Sequence, residues 1–301
     1  MCLRADIPWA MIVDAHVHLY PDEVGRDPAG WAAAAREPQW AVLATRRRRD
    51  GRPVQVFPTV AELLLEMDAA GVDRAVLLGW YWENALTCTV QNRFYARCVR
   101  EHPDRLMAFA TVQPVAGPAA VQEELRRAHG EGLCGLGELS PHSQGYAVTD
   151  PAFGAVLTLA GELGLPVNLH VTDPASRPFP GRVETPLADF KMLAQLYPGT
   201  RFILAHWGGG LPLVDATVNA GNLPNVYYDT AASPLLYDAG IWSRALPVYG
   251  EDRVLFGSDY PLNLYPRSDA EPAMTRLLAE ARAANVPAGV FAANVRRLLG
   301  C

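Results

Sequence analysis

Eight short apolar runs recur along this chain, and stretches with helical spacing of hydrophobic residues alternate with them. The runs are MIVDAHVHLY (11–20), DRAVLLGW (73–80), RLMAFATVQP (105–114), LCGLGELS (133–140), PVNLHV (166–171), RFILAHWG (201–208), NVYYDTAA (225–232) and RVLFGSDYP (253–261). Helical spacing marks 59–70, 88–101, 118–130, 151–163, 186–196 and 211–220, with two terminal helices at 270–283 and 286–299. Near-continuous apolar strands are buried on both faces, so they belong to a parallel sheet covered by helices. Eight is the number that closes such a sheet, and the expected fold is a (β/α)8 TIM barrel. An open doubly wound sheet competes, but GLGELS offers no GxGxxG phosphate loop. A chain of 301 residues with 50% hydrophobic content suits one barrel domain over 1–301. The connection at 20–58 exceeds what one turn needs, and it lies where barrels build active sites, as a lid or substrate-binding insertion. Its RRRRD run, Arg46 to Asp50, reads as a solvated charge run; as a functional feature it would hold an anionic group.

On a strand, residues i and i+2 share a face, so His16 and His18 project side by side from the first run. An isolated HxH is weak, because two polar residues on a half-exposed strand look the same. The other ligand-type residues change that. Glu138 and His142 stand at the end of strand four, His170 on strand five, His206 on strand six and Asp259 at the end of strand eight. A barrel brings those ends to one mouth. Imidazoles and carboxylates converging there suit a borderline divalent ion, zinc first and manganese second, with a position left for water. His102 and His129 fall at helix ends and read as structural. His142 reads as a loop residue, and Asp14 as a support one step deeper than His16.

The net charge of −6 and the absence of a basic groove argue against nucleic acid as substrate. No segment is long and apolar enough for a membrane span, and residues 1–10 carry no secretory pattern. Met11 immediately precedes the expected first strand, so either Met1 or Met11 is the start. Five cysteines without CxxC pairing do not form a disulfide framework, and a cytoplasmic protein is expected. Homo-oligomers are the base-rate expectation for such an enzyme.

The segments DAHVH (14–18), NLH (168–170), LAHWGG (204–209) and FGSDYP (256–261) resemble the amidohydrolase superfamily, in particular its amidohydrolase-2 branch, in order and across nearly the whole chain. The resemblance implies His16, His18, His170 and Asp259 as metal ligands, and a catalytic His206 near the scissile group. Asp259 would also move a proton between water and leaving group. Glu138 departs from many simple members of that branch and is similar to the glutamate of TatD-like hydrolases. It would either hold a second ion with His170 and His206 or fix a ligand histidine from outside. One or two ions are therefore expected. Trp80, Tyr81, Trp82 and Trp207, with Asn84 and Asp229, are the expected contacts to a small-molecule substrate. The leading expectation is hydrolysis of an amide, ester or lactone. The alternative is a metal-dependent decarboxylase of an aromatic or unsaturated carboxylic acid, which would use nearly the same ligands. Phosphodiester cleavage and a barrel kept only for binding are weaker, given the acidic charge and the complete ligand set.

Overall fold

The computed structural model describes residues 11–218 and 222–300. Cys2, Cys301 and the alternative start at Met1 lie outside the described residues.

Eight parallel strands form the expected barrel: β1 Val13–Val17, β2 Arg74–Leu77, β3 Leu106–Ala108, β4 Leu136–Leu139, β5 Val167–Leu169, β6 Phe202–Leu204, β7 Val226–Asp229 and β8 Val254–Leu255. Continuous ladders run β1-β2-β3 and β4-β5-β6-β7-β8. Backbone bonds close both gaps. Ala110 N donates to Gly135 O (2.9 Å) and Gly137 N to Ala110 O (2.7 Å), joining β3 to β4. Ala15 N donates to Phe256 O (2.7 Å) and Asp259 N to His16 O (2.9 Å), returning β8 to β1. Closure leaves no sheet edge, so buried strand amides find partners within the ring.

The period of two divides β1. Val13 and Ala15 pack in a cluster with Ala292, Val295 and Leu298 of the C-terminal helical segment, while Asp14, His16 and His18 take the other face and are nonetheless buried. Asn294 fastens that segment by donating to Glu251 O (2.7 Å) and Val254 O (2.8 Å). Long side chains such as Phe153, Phe190, Phe202 and Trp242 are fully buried between strands and helices. Each contributes about 1.5–3 kcal/mol by leaving water.

Several expected elements differ. Helix 88–101 begins earlier, at Ala85. The helix expected over 211–220 spans only Leu211–Val214, because the Asp215 carboxylate accepts from Thr217 N and turns the chain; residues 219 and 220 lie outside the described set. The 270–283 helix begins at Thr275. The 286–299 helix is a π-turn over Gly289–Ala293 continued by Asn294–Leu299. Ile241–Tyr249 forms a helix that periodicity does not reveal, with Pro247 inside it. The 20–58 connection is folded rather than looped. Its helices Asp22–Arg26, Pro28–Ala35 and Pro38–Ala44 lead into a hairpin in which Val54 N bonds Arg46 O (3.0 Å). No described helix is long and apolar enough to cross a membrane.

Candidate metal centre

The C-terminal ends of β1, β4, β5, β6 and β8 bring six donors together in two groups: His16, His18 and Asp259, and Glu138, His170 and His206. His16 Nε2 stands 3.2 Å from His18 Nε2. Asp259 Oδ1 is 3.7 Å from the first and 3.5 Å from the second. In the other group, His170 Nδ1 lies 2.9 Å from Glu138 Oε1 and 3.2 Å from His206 Nε2, which is 3.6 Å from the same oxygen. Glu138 spans both groups, because its Oε2 is 3.9 Å from His16 Nε2 and 3.6 Å from His18 Nε2. Ligands of one tetrahedral ion held at about 2.0–2.2 Å stand roughly 3.4 Å apart. Both groups have that spacing. His170 is thus placed differently from the set implied by the resemblance: its Nδ1 faces Glu138 and His206, not the pair from β1.

The supports are equally specific. His16 Nδ1 pairs with Asp229 Oδ2 at 2.9 Å, which presents Nε2 to the centre. Asp229 also accepts from His206 N (3.0 Å), Asn168 Nδ2 (3.1 Å) and Ala231 N (3.1 Å). His18 Nδ1 donates to Leu78 O (3.1 Å), and His206 Nδ1 to Ala231 O (3.2 Å). Thr172 Oγ1 is 3.3 Å from His170 Nε2. Asp14 Oδ1 accepts from Ser258 N (2.9 Å) and His16 N (3.1 Å). His206 and Asp259 adopt left-handed backbone angles, φ 58 and 71. Non-glycine residues held there cost about 1–3 kcal/mol and cluster at functional sites.

Electrostatics separates the roles. Burial raises Asp259 to about 6 even though His16 and His206 pull the other way. Burial, then the nearby His16, push His18 down to about 3, so its ring is neutral. Burial also opposes charge on His16, but Asp229 overrides it and lifts the ring to about 10. Burial likewise opposes ionisation of Glu138, yet His170 and the other imidazoles hold it well below the usual range. Three buried carboxylates whose ion-pair partners are histidines require compensating positive charge. A divalent cation supplies that charge and matches the hard and borderline donors present, so the residues fit such an ion.

Glu138 reaches the centre because of the glycine before it. Gly137 has φ +120, and a Cβ there would stand 2.3 Å from Asn168 O. Gly137→Ala is therefore expected to lower stability by more than about 3 kcal/mol, since neither strain nor clash can relax in a closed sheet. A thermal melt within a few degrees of the parent would contradict this.

Five of the six donors, all but the fully buried His16, line a cavity of about 750 Å³, within the range of small-molecule sites. Trp80 and Tyr81 line it, stacked at 4.3 Å. Two expected substrate contacts do not reach it. Trp82 is buried between Trp31 and Trp40, with its N–H held by Gln91. Trp207 is fully buried, its N–H on Ser233 Oγ and its ring against Trp242 and Tyr249. Asp229 likewise supports His16 instead of meeting substrate, and Asn84 binds the Arg36 and Ala35 carbonyls. His142 pairs with Asp189, away from the donors. His129 Nδ1 faces Leu133 O beyond its helix end. The sequence reading gives Asp229 to the substrate and prefers a solvated run for Arg46 to Asp50, whereas Asp229 supports His16 and Arg46 lines the cavity wall. Asp229's position at the end of β7 was the available signal for the first.

Solved structures share this architecture. A 5-carboxyvanillate decarboxylase from Novosphingobium aromaticivorans, complexed with manganese and 4-hydroxy-3-methoxy-5-nitrobenzoic acid, superposes with TM-score 0.69 at 18% identity, covering 97% of this chain and 96% of that one. 4-Oxalomesaconate hydratase from Rhodopseudomonas palustris gives 0.66 at 18%, covering 96% of each. A probable 2-pyrone-4,6-dicarboxylic acid hydrolase from Acinetobacter baumannii, with citric acid bound, gives 0.62 at 15%, covering 97% of this chain and all (100%) of the other. At such identities the likeness establishes the fold, and different chemistries share it. The amidohydrolase family profile, in contrast, matches residues 13–301, from β1 past the last helix and through every donor described. With the HxH of β1, the histidines of β5 and β6 and the aspartate of β8 in one mouth, this chain belongs to the amidohydrolase family.

Proposed function

We propose that this protein is a metal-dependent hydrolase that cleaves an amide, ester or lactone in a small molecule. The observation carrying this reading is Glu138, whose two oxygens face different donor groups. His16, His18 and Asp259 would hold one ion and His170 with His206 a second, Glu138 serving both. Zinc fits best, with manganese as the alternative. Bound there, the ions supply Lewis acidity and a water of lowered pKa. Asp259 takes the proton of the water whose oxygen bonds the acyl carbon, and returns it as the C–N or C–O bond breaks. Asp229 keeps His16 in the tautomer that presents Nε2. Trp80 and Tyr81 offer flat apolar surface to the substrate and exclude water beside the donors. His206, expected to act near the scissile group, is better assigned as a ligand, because its Nε2 faces Glu138 and His170.

The decarboxylase reading is favoured by one observation: arginines line the cavity, Arg46 among them, and a carboxylate substrate would meet them. Metal analysis with product analysis separates the two. The hydrolase reading expects two equivalents of divalent metal per chain, falling to one in Glu138→Ala, and no carbon dioxide release. One equivalent, unchanged by the substitution, together with carbon dioxide as product, would establish the lyase.

A further inference from the structure

We infer that the groove between helices Ala85–Glu101 and Pro118–Gly130, on the outer wall of the barrel, is a second ligand site. It takes an elongated amphiphile with a hydrogen-bond donor at one end, an apolar body and an anionic group at the other. The groove shares no lining residue with the catalytic cavity, so the inference stands apart from the proposed function.

The two helices enclose a cavity of about 420 Å³, within the range of small-molecule sites. Its lining holds an unspent acceptor. Gln113, just past β3 and 5% exposed, donates from Nε2 to Glu83 O (3.1 Å) and Gln144 O (3.2 Å), which fixes its amide with the nitrogen towards those carbonyls. Its Oε1 then has no hydrogen-bond partner among the described residues. Buried acceptors are as a rule paired in a finished complex, and the group that meets this one must donate. Glu83 immediately precedes the first helix, so the acceptor stands at the N-terminal end of the groove.

Leu86, Val112, Ala116, Ala120 and Val121 supply the apolar walls. Leu86 is 82% exposed, and Val90, one turn along the same face, is exposed as well, so this surface is left to water until something covers it. At the far end stands Arg93, two turns from Leu86 and about 10 Å along the helix. Its guanidinium is exposed and has no ion-pair partner among the described residues. An unpaired guanidinium at the end of an apolar groove suits a carboxylate. Two of the other charges in the lining are engaged: Arg127 pairs with Glu124 and Glu131, and Glu124 also accepts from Asn92 Nδ2 (2.7 Å). Glu123 is exposed and opposes the anion.

The test is equilibrium binding of indole-3-butyrate by calorimetry, with 1-methylindole-3-butyrate to remove the donor and indole-3-butyramide to remove the charge. The parent is expected to bind the acid about 10-fold more tightly than either analogue. Arg93→Gln should lose the preference for acid over amide and keep that for N–H over N-methyl, while Glu123→Gln should strengthen binding of the acid. Ala120→Trp, at an exposed helical position where the ring fills the groove, should abolish this site and leave any binding in the catalytic cavity as it was. Binding of the acid that survives Ala120→Trp unchanged, a preference for acid over amide that survives Arg93→Gln, or equal affinities for all three probes in the parent overturns the inference.

Discussion

Asp259→Asn is expected to reduce turnover by about 10²–10⁴-fold while leaving a folded protein, as for loss of a positioned proton acceptor. Asparagine is nearly isosteric and tolerates the φ of 71 that Asp259 adopts. The backbone bond from residue 259 to His16 O is retained as well. What disappears is the carboxylate that faces His16 and His18 and that burial raises to about 6. The measurement is kcat and KM on a chromogenic aryl ester or lactone, with metal content determined in parallel. A rise in KM alone would mean that Asp259 only binds substrate. An unchanged kcat would remove it from the chemistry.

Asp229→Asn should have the largest effect on stability and metal affinity together. Asp229 is fully buried and accepts from His16, His206 N, Asn168 and Ala231 N. Breaking such a buried pair costs about 3–5 kcal/mol, and losing the support of a ligand histidine weakens metal binding by about 10–100-fold. The sign of the pH dependence follows from His16, which is raised from 6.5 to about 10 in the folded metal-free protein. Its contribution is fully present below 6.5 and is lost as pH rises towards 10. Chelator-treated parent and Asp229→Asn should therefore differ most in unfolding free energy just below pH 6.5 and converge as the pH approaches 10. Metal opposes this trend in the parent, because ligation needs the deprotonated Nε2. A gap constant from pH 6.5 to 10 would refute the pairing.

Neither effect is visible in the sequence alone. HxH on an apolar strand, a histidine ending each of strands five and six and an aspartate ending strand eight were enough to place one donor cluster at one mouth. That inference needs only the period of a strand and the direction of a parallel barrel. Which donors face one another is a different matter. His170 lies with Glu138 and His206 because its ring turns Nδ1 towards Glu138 Oε1, a torsion that residue order does not encode. Trp82 and Trp207 follow strands as Trp80 does, yet pack into aromatic clusters away from the cavity. Loop position marks a residue as near the mouth without fixing which way it points.

Strand periodicity, the order of βα units and the identity of the chemistry-bearing residues were determined by the sequence itself, because burial and backbone hydrogen bonding act locally and repeat. Tertiary structure decided the rest. Closure of β8 on β1 set the distances between donors, the hairpin anchored at Pro261 turned one arginine of a charged run into the cavity wall, and Asp229 became the support of His16. Each of these joins residues tens to hundreds of positions apart, and such contacts exist only once the ring has closed.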